Sequence, residues 1–261
     1  MKKMISVLAV ALCLVLACAC AMGEINLTKR DMVLNRSLDK NVNNILVIMQ
    51  DGETTDSLML ASVNSRTGRS VMTQIECDTM VNVPEVGDVQ LGEVYAMGAP
   101  KSRGLLVARA LNSLLDLNVS TYVALDISLL PELVDEIGML STWLNEEEAA
   151  ILGTWPGDNA LTSDNILDYV NIRLESDYVE KNRCYMVFMD LLKQGLHSKS
   201  GTNLLGLGKK LLAGMDTNLN AMAAVTMLSS FQGGTDRREL YLYSDMSAQE
   251  MHDAFHREVY E

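Results

Sequence analysis

Three aspartates sit where apolar runs begin or end. Ile45-Leu46-Val47-Ile48-Met49 stops at Gln50-Asp51-Gly52-Glu53; Asp56 precedes Ser57-Leu58-Met59-Leu60-Ala61-Ser62-Val63; Ser70-Val71-Met72-Thr73-Gln74-Ile75 ends in Glu76-Cys77-Asp78. Polar groups at the strand ends of a central sheet are where sites are usually built. The same aspartates also suit plain turn and cap chemistry. Arg173 and Arg183 have two readings as well, as grips on phosphate oxygens or as surface partners of Asp177 and Glu180. The other ionisable types exclude more than they offer. His197, His252 and His256 lack zinc spacing, no Cys-x-x-Cys is present, and Gly206-Leu207-Gly208 has no strand before it to make a phosphate-cradling loop.

The elements that must position these residues follow from pattern. The β-branched run Ile45–Met49 suits a strand covered on both faces. The next two runs form further strands around the turn Asn64-Ser65-Arg66-Thr67-Gly68-Arg69. Met80-Val81-Asn82-Val83-Pro84 continues briefly. Leu105, Ala108, Leu111, Leu114 and Leu115 recur at helical spacing, and Thr121–Asp126 reads as a strand. Ser128–Ile137 is a helix with Pro131 in its first turn and Gly138 at its end. Glu146-Glu147-Glu148 reads as a solvated helix face. Thr162 or Ser163 caps a helix from Asp164 to Val170. Longer helical patterns span residues 177–194, 204–215 and 221–231, and Glu239–Tyr243 alternates as a final strand. Strand and helix alternate, which indicates an α/β fold: a mixed central sheet with helices packed on it.

With 261 residues and 48% hydrophobic content, the chain supports one sizeable domain. Its 21 basic and 34 acidic residues leave a net charge of -13, which excludes nonspecific nucleic-acid binding. Such a chain meets an anionic substrate through a metal ion or a few local arginines. Lys2-Lys3, an apolar run to Ala17, and small residues around Ala19-Cys20-Ala21 form a leader over residues 1–22. It reads as a cleaved signal, a lipoprotein anchor at Cys18, or an uncleaved anchor. All three place the domain outside the membrane. A polar tether over 23–43, a domain over 44–246 and a polar C-terminal helix over 247–261 complete the expected organisation.

The chain resembles the LytR-CpsA-Psr family, extracytoplasmic enzymes that transfer lipid-linked glycopolymers onto bacterial peptidoglycan. The resemblance rests on Asn44-Ile45-Leu46-Val47-Ile48, Thr55-Asp56-Ser57-Leu58-Met59-Leu60, Ser65-Arg66-Thr67-Gly68, Cys77-Asp78-Thr79, Tyr95-Ala96-Met97-Gly98, Val134-Asp135-Glu136-Ile137-Gly138 and Asp168-Tyr169-Val170-Asn171-Ile172-Arg173. It implies a polyprenyl tail in an apolar cavity between sheet and helices at the membrane surface. It also implies magnesium held by Asp51 and Asp56 against a pyrophosphate, with Arg173 and Arg183 on the phosphates and Asp78 orienting backbone or an arginine. The activity implied is magnesium-dependent phosphotransfer or pyrophosphate hydrolysis.

The chain departs from the family where charge is densest. The loop Asp51-Gly52-Glu53-Thr54-Thr55 lacks two of the family's arginines, and Glu76-Cys77-Asp78 replaces Pro-Arg-Asp. Asn171 and Glu180 stand where two more arginines are expected. Each lost charged hydrogen bond removes roughly 1.5–3 kcal/mol of phosphate binding. The losses point to an alternative, a lipid- or partner-binding module without turnover. In the family the segments bearing Cys77 and Cys184 face one cleft, so the resemblance also implies a possible disulfide between them.

Overall fold

A computed structural model describes residues 24–32, 34–174, 182–197, 214–219 and 236–261. In chain order the strands are β1 (Val42–Asp51), β2 (Thr54–Asn64), β3 (Arg69–Ile75), β4 (Met80–Val83), β5 (Gly87–Gln90), β6 (Tyr122–Asp126), β7 (Leu140–Leu144), β8 (Gly157–Leu161), β9 (Met215–Thr217) and β10 (Asp236–Leu242). The helices are α1 (Val94–Met97), α2 (Arg103–Leu115), α3 (Leu130–Ile137), α4 (Glu146–Ile151), α5 (Ile166–Val170), α6 (Arg183–His197) and α7 (Ala248–Val259).

Six strands form one sheet in the order β10-β3-β2-β1-β6-β9. β1 is antiparallel to β2 and parallel to β6, and β10 joins β3 in parallel, so the sheet is mixed, as the alternation of elements indicated. Successive side chains of β1 point to opposite faces. Leu46 and Ile48 enter one apolar cluster with Leu106 and Leu111 of α2 and with Phe255 of α7. Val47 and Met49 enter a second with Leu133 of α3, Tyr169 of α5 and Val187 of α6. Burial on both faces is what the unbroken apolar run required.

Several elements depart from the sequence reading. Helix α7, expected as a polar tail, buries Met251, Phe255 and Val259 in the first cluster. Ser247 and Glu250 cap its start reciprocally. The apolar residues recur every four positions on a charged background, which conceals a core-facing stripe in the mean composition. The expected tether is docked too: Leu27 is buried, and its N–H donates to Ser102 Oγ at 2.9 Å. The helix expected from Asp164 begins at Ile166, because the Asn165 side chain accepts from Thr162 N at 2.7 Å and holds a turn there. The edge strand β9 had no sequence signal. Most of the 204–215 helix, all of the 221–231 helix and the first turns of the 177–194 helix lie outside the described residues, as does the leader. Among the described residues no helix is long and apolar enough to cross a membrane.

Candidate functional site

Antiparallel pairing brings the C-terminal ends of β1 and β3 and the N-terminal end of β2 to one end of the sheet. Asp51 is exposed there, and the chain turns back through Gly52 at φ +62°. Asp56 is placed by an irregularity. Met49 faces Ser57 but Gln50 faces Thr55, which leaves Asp56 as the extra residue of a β-bulge. A bulge re-aims the side chain it carries. Here it turns a carboxylate with 14% side-chain exposure toward the helices of the second cluster.

Asp56 meets two groups there. Arg173 forms an ion pair with its Oδ1, and the Cys184 thiol donates to Oδ2. The Arg173 guanidinium is fixed from behind: Nη1 donates to Val170 O at 2.7 Å and to Ile172 O at 3.0 Å. Carbonyls at a helix C-terminus are a natural seat for a cation. The side chain is nevertheless 61% exposed, so this cation faces solvent.

The thiols carry no negative charge at neutral pH. Burial, then the charges of Asp56, Asp78 and Glu76, pushes Cys77 up to about 12. Burial, then Asp56, pushes Cys184 up further still. A neutral thiol is a hydrogen-bond donor rather than a nucleophile. Both cysteines are free in this structure, so the bridge that the resemblance raised is not formed here. Extending the β2–β3 register past Leu58↔Ile75 sets Cys77 beside Asp56, with Asp78 exposed just beyond it.

Arg183 goes elsewhere. Its Nε and Nη2 donate to Glu148 Oε1 at 3.0 and 2.7 Å, and its Nη1 donates to Ile172 O at 3.0 Å. The side chains of this pair are 2% and 0% exposed, and the guanidinium lies 6.0 Å over the Tyr169 ring. Neither surface pairing nor an outward phosphate contact describes it. Glu148, expected on a solvated face, is fully buried. It closes a capping box with Asn145 and neutralises Arg183. The Asn145-x-x-Glu148 spacing is the signal that a reading of the acidic triplet as solvated overlooked. Nothing in the sequence announced the bulge or the Cys184 contact. Asp126, at the same sheet end, has the plain use of an aspartate: it caps Ser128 N at 2.9 Å.

Among the described residues no group of three or more His, Cys, Asp and Glu side chains could hold a metal. Asp51 and Asp56 would supply two hard oxygen ligands, Asp56 through an oxygen that Arg173 or Cys184 also bonds. That matches how magnesium is commonly held, by one or two carboxylates with phosphate oxygens and water completing the shell.

Fold and site define the class: an α/β domain whose mixed sheet is covered on both faces, with Asp51, Asp56 and the exposed guanidinium of Arg173 at one end. The LytR_cpsA_psr family matches residues 21–246, and the chain belongs to that family. Biofilm regulatory protein A of Streptococcus mutans is 24% identical over 184 residues, covering 63% of this chain and 44% of that relative. The chain thus spans less than half the length of that relative. TagT, a protein of Bacillus subtilis, has a similar structure. TagT bound to LI-WTA superposes with a TM-score of 0.71 at 15% identity, covering 90% of this chain and 99% of that one. TagT with bound octaprenyl pyrophosphate lipid gives 0.68 at 16%, with the same coverage.

Proposed function

We propose that this chain is an extracytoplasmic envelope protein acting on polyprenyl-pyrophosphate-linked cell-wall glycopolymers, in glycopolymer phosphotransfer to peptidoglycan. One observation carries the reading. A solvent-facing Asp51 and a bulge-turned Asp56 share one sheet end with the exposed, backbone-braced guanidinium of Arg173. Arg173 grips a phosphate oxygen with a fixed fork. Asp51 and Asp56 would hold magnesium, which when bound neutralises charge on the departing phosphate. Cys184 keeps one Asp56 oxygen oriented, and Asp78 lines the β3 side. The acceptor oxygen bonds to the glycopolymer-side phosphorus, polyprenyl phosphate leaves with the electrons of the broken P–O bond, and the acceptor proton passes to solvent. The ligands named for TagT support the substrate class. The apolar cavity for the tail and the leader that exports the domain belong to this reading.

Binding without turnover is the second reading, and the inward turn of Arg183 onto Glu148 favours it, because that guanidinium is committed to the interior. Octaprenyl pyrophosphate binding with and without magnesium, followed by glycopolymer transfer to peptidoglycan, separates the two. Asp56→Asn is expected to weaken magnesium-dependent binding by roughly tenfold to a hundredfold, the loss of one charged contact. Transfer by the parent and none by the variant supports the enzyme. Binding without transfer supports the binder. No binding by the parent refutes both.

A further inference from the structure

The chain has two tryptophans, and the fold displays both. Trp143 is 62% exposed and Trp155 is 85% exposed. In β7 the inward positions Leu140, Thr142 and Leu144 are buried, while Trp143 stands on the outer side opposite Asp158 of β8. Trp155 lies in the short connection from α4 to β8, which is rigidly built. Gly153 and Gly157 take φ +65° and +109°. Thr154 N donates to Ala149 O at 2.9 Å, and the Asn159 amide donates to Trp155 O at 2.9 Å and Gly157 O at 3.0 Å. These bonds hold the backbone under an indole that stays in solvent. Exposed aromatic surface on an ordered frame marks an interaction site, and tryptophan is the residue most enriched at binding hot spots.

Charge narrows the occupant. From Ala110 to Ile172 there is no Lys or Arg, and Glu146, Glu147 and Asp158 flank the indoles. Docking on an anionic bilayer uses basic residues, and residues 110–172 supply none. An isologous contact with a second copy would set the same carboxylates against each other. What suits an indole opposite the acceptor-only Asp158 is an uncharged ligand with C–H faces and many O–H and N–H donors. A chain of pyranose rings has that chemistry. The surface is also linked to Asp56: α4 carries Glu148, its partner Arg183 precedes Cys184, and Cys184 bonds Asp56.

We propose that the Trp143–Trp155 face docks a neutral saccharide chain, the glycan strand of the acceptor. The inference rests on the preceding reading and deepens it by assigning the acceptor a place. Because Trp143 and Trp155 are the two tryptophans of the chain, intrinsic tryptophan fluorescence reports on them alone. The test is titration of the full chain with a β-1,4-linked N-acetylglucosamine oligomer, beside octaprenyl pyrophosphate binding on the same samples. A saturable emission shift is expected. Trp143→Ala and Trp155→Ala should each weaken binding roughly tenfold, with circular dichroism and lipid binding unchanged. Lipid binding without glycan binding overturns this inference and leaves the preceding reading standing; glycan binding without lipid binding does the reverse. An emission shift on anionic vesicles, with a basic peptide, or on self-association, in place of the oligomer, also overturns it.

Discussion

Removing the carboxylate of Glu148 tests whether Arg183 belongs to the interior or to the site. In the structure the pair is enclosed, and Glu148 Oε2 also accepts from Asn145 N at 2.9 Å. Glu148→Ala removes the buried carboxylate that pairs with this guanidinium, a loss of about 3–5 kcal/mol. It also removes one arm of a capping box, worth about 1 kcal/mol. Glu148→Gln retains a cap-competent side chain and should lose about 3 kcal/mol, close to the ion-pair share alone. Replacing both partners with apolar residues, Glu148→Leu with Arg183→Met, should recover to within about 1–2 kcal/mol of the parent, since two buried charges are then removed together. Urea unfolding of the parent, Glu148→Leu, Arg183→Met and the double variant closes a double-mutant cycle with a large coupling term. Because total stability is usually about 5–15 kcal/mol, Glu148→Ala should approach unfolding. If it costs less than about 1 kcal/mol while octaprenyl pyrophosphate binding collapses, Arg183 faces the ligand and the reasoning fails.

Four further outcomes are expected. The Cys77 thiol is raised from an ordinary 9.0 to about 12 in the folded chain, so its contribution to stability is complete below pH 9.0 and is lost toward pH 12. Unfolding midpoints should therefore fall above pH 9.0, by about 1.4 kcal/mol per pH unit per thiol, and Cys77→Ala should flatten the slope. Both Cys77 and Cys184 should alkylate under denaturing, non-reducing conditions; protection of both in mass-mapped peptides would reveal the bridge instead. A Cβ on Gly104 would lie 2.1 Å from the Tyr122 ring, so Gly104→Ala should cost about 1–3 kcal/mol or more, read as a lowered melting temperature. Phe255→Ala should cost about 3–5 kcal/mol, as for any core residue, and a change below about 0.5 kcal/mol would mean that α7 is a detached tail after all.

The sheet was legible because its signals are local and redundant. The continuous apolar run of β1, the turn at Asn64–Arg69 and the proline and glycine that bracket α3 each specify an element without tertiary help. The site was legible only as types and approximate places. Asp56 and Arg173 do meet, but what turns Asp56 is a one-residue misregister between β1 and β2, a property of the pair that neither strand displays alone. Arg183 and Glu148 were misplaced for a related reason. Long-range neutralisation between residues 35 positions apart can bury charges that each look solvent-bound in isolation. Helix α7 illustrates the converse: three apolar residues spaced by four are enough to dock a helix whose average is polar.

The parallel pairing of β3 with β10 has a kinetic corollary. Arg69 and Asp236, bonded across that pair, are separated by 167 positions. Neighbouring strands therefore enclose most of the chain, the Asp56–Cys184 contact and the tryptophan hairpin included, as one loop. Closing a loop of that length costs about 4–5 kcal/mol of chain entropy before any edge contact is gained. Native contacts of such high sequence separation slow folding. The β1–β2–β3 meander can assemble early from its own short turns, whereas the outer edge at β10, and the α7 cover that follows it, must wait for residues 236–261 to return.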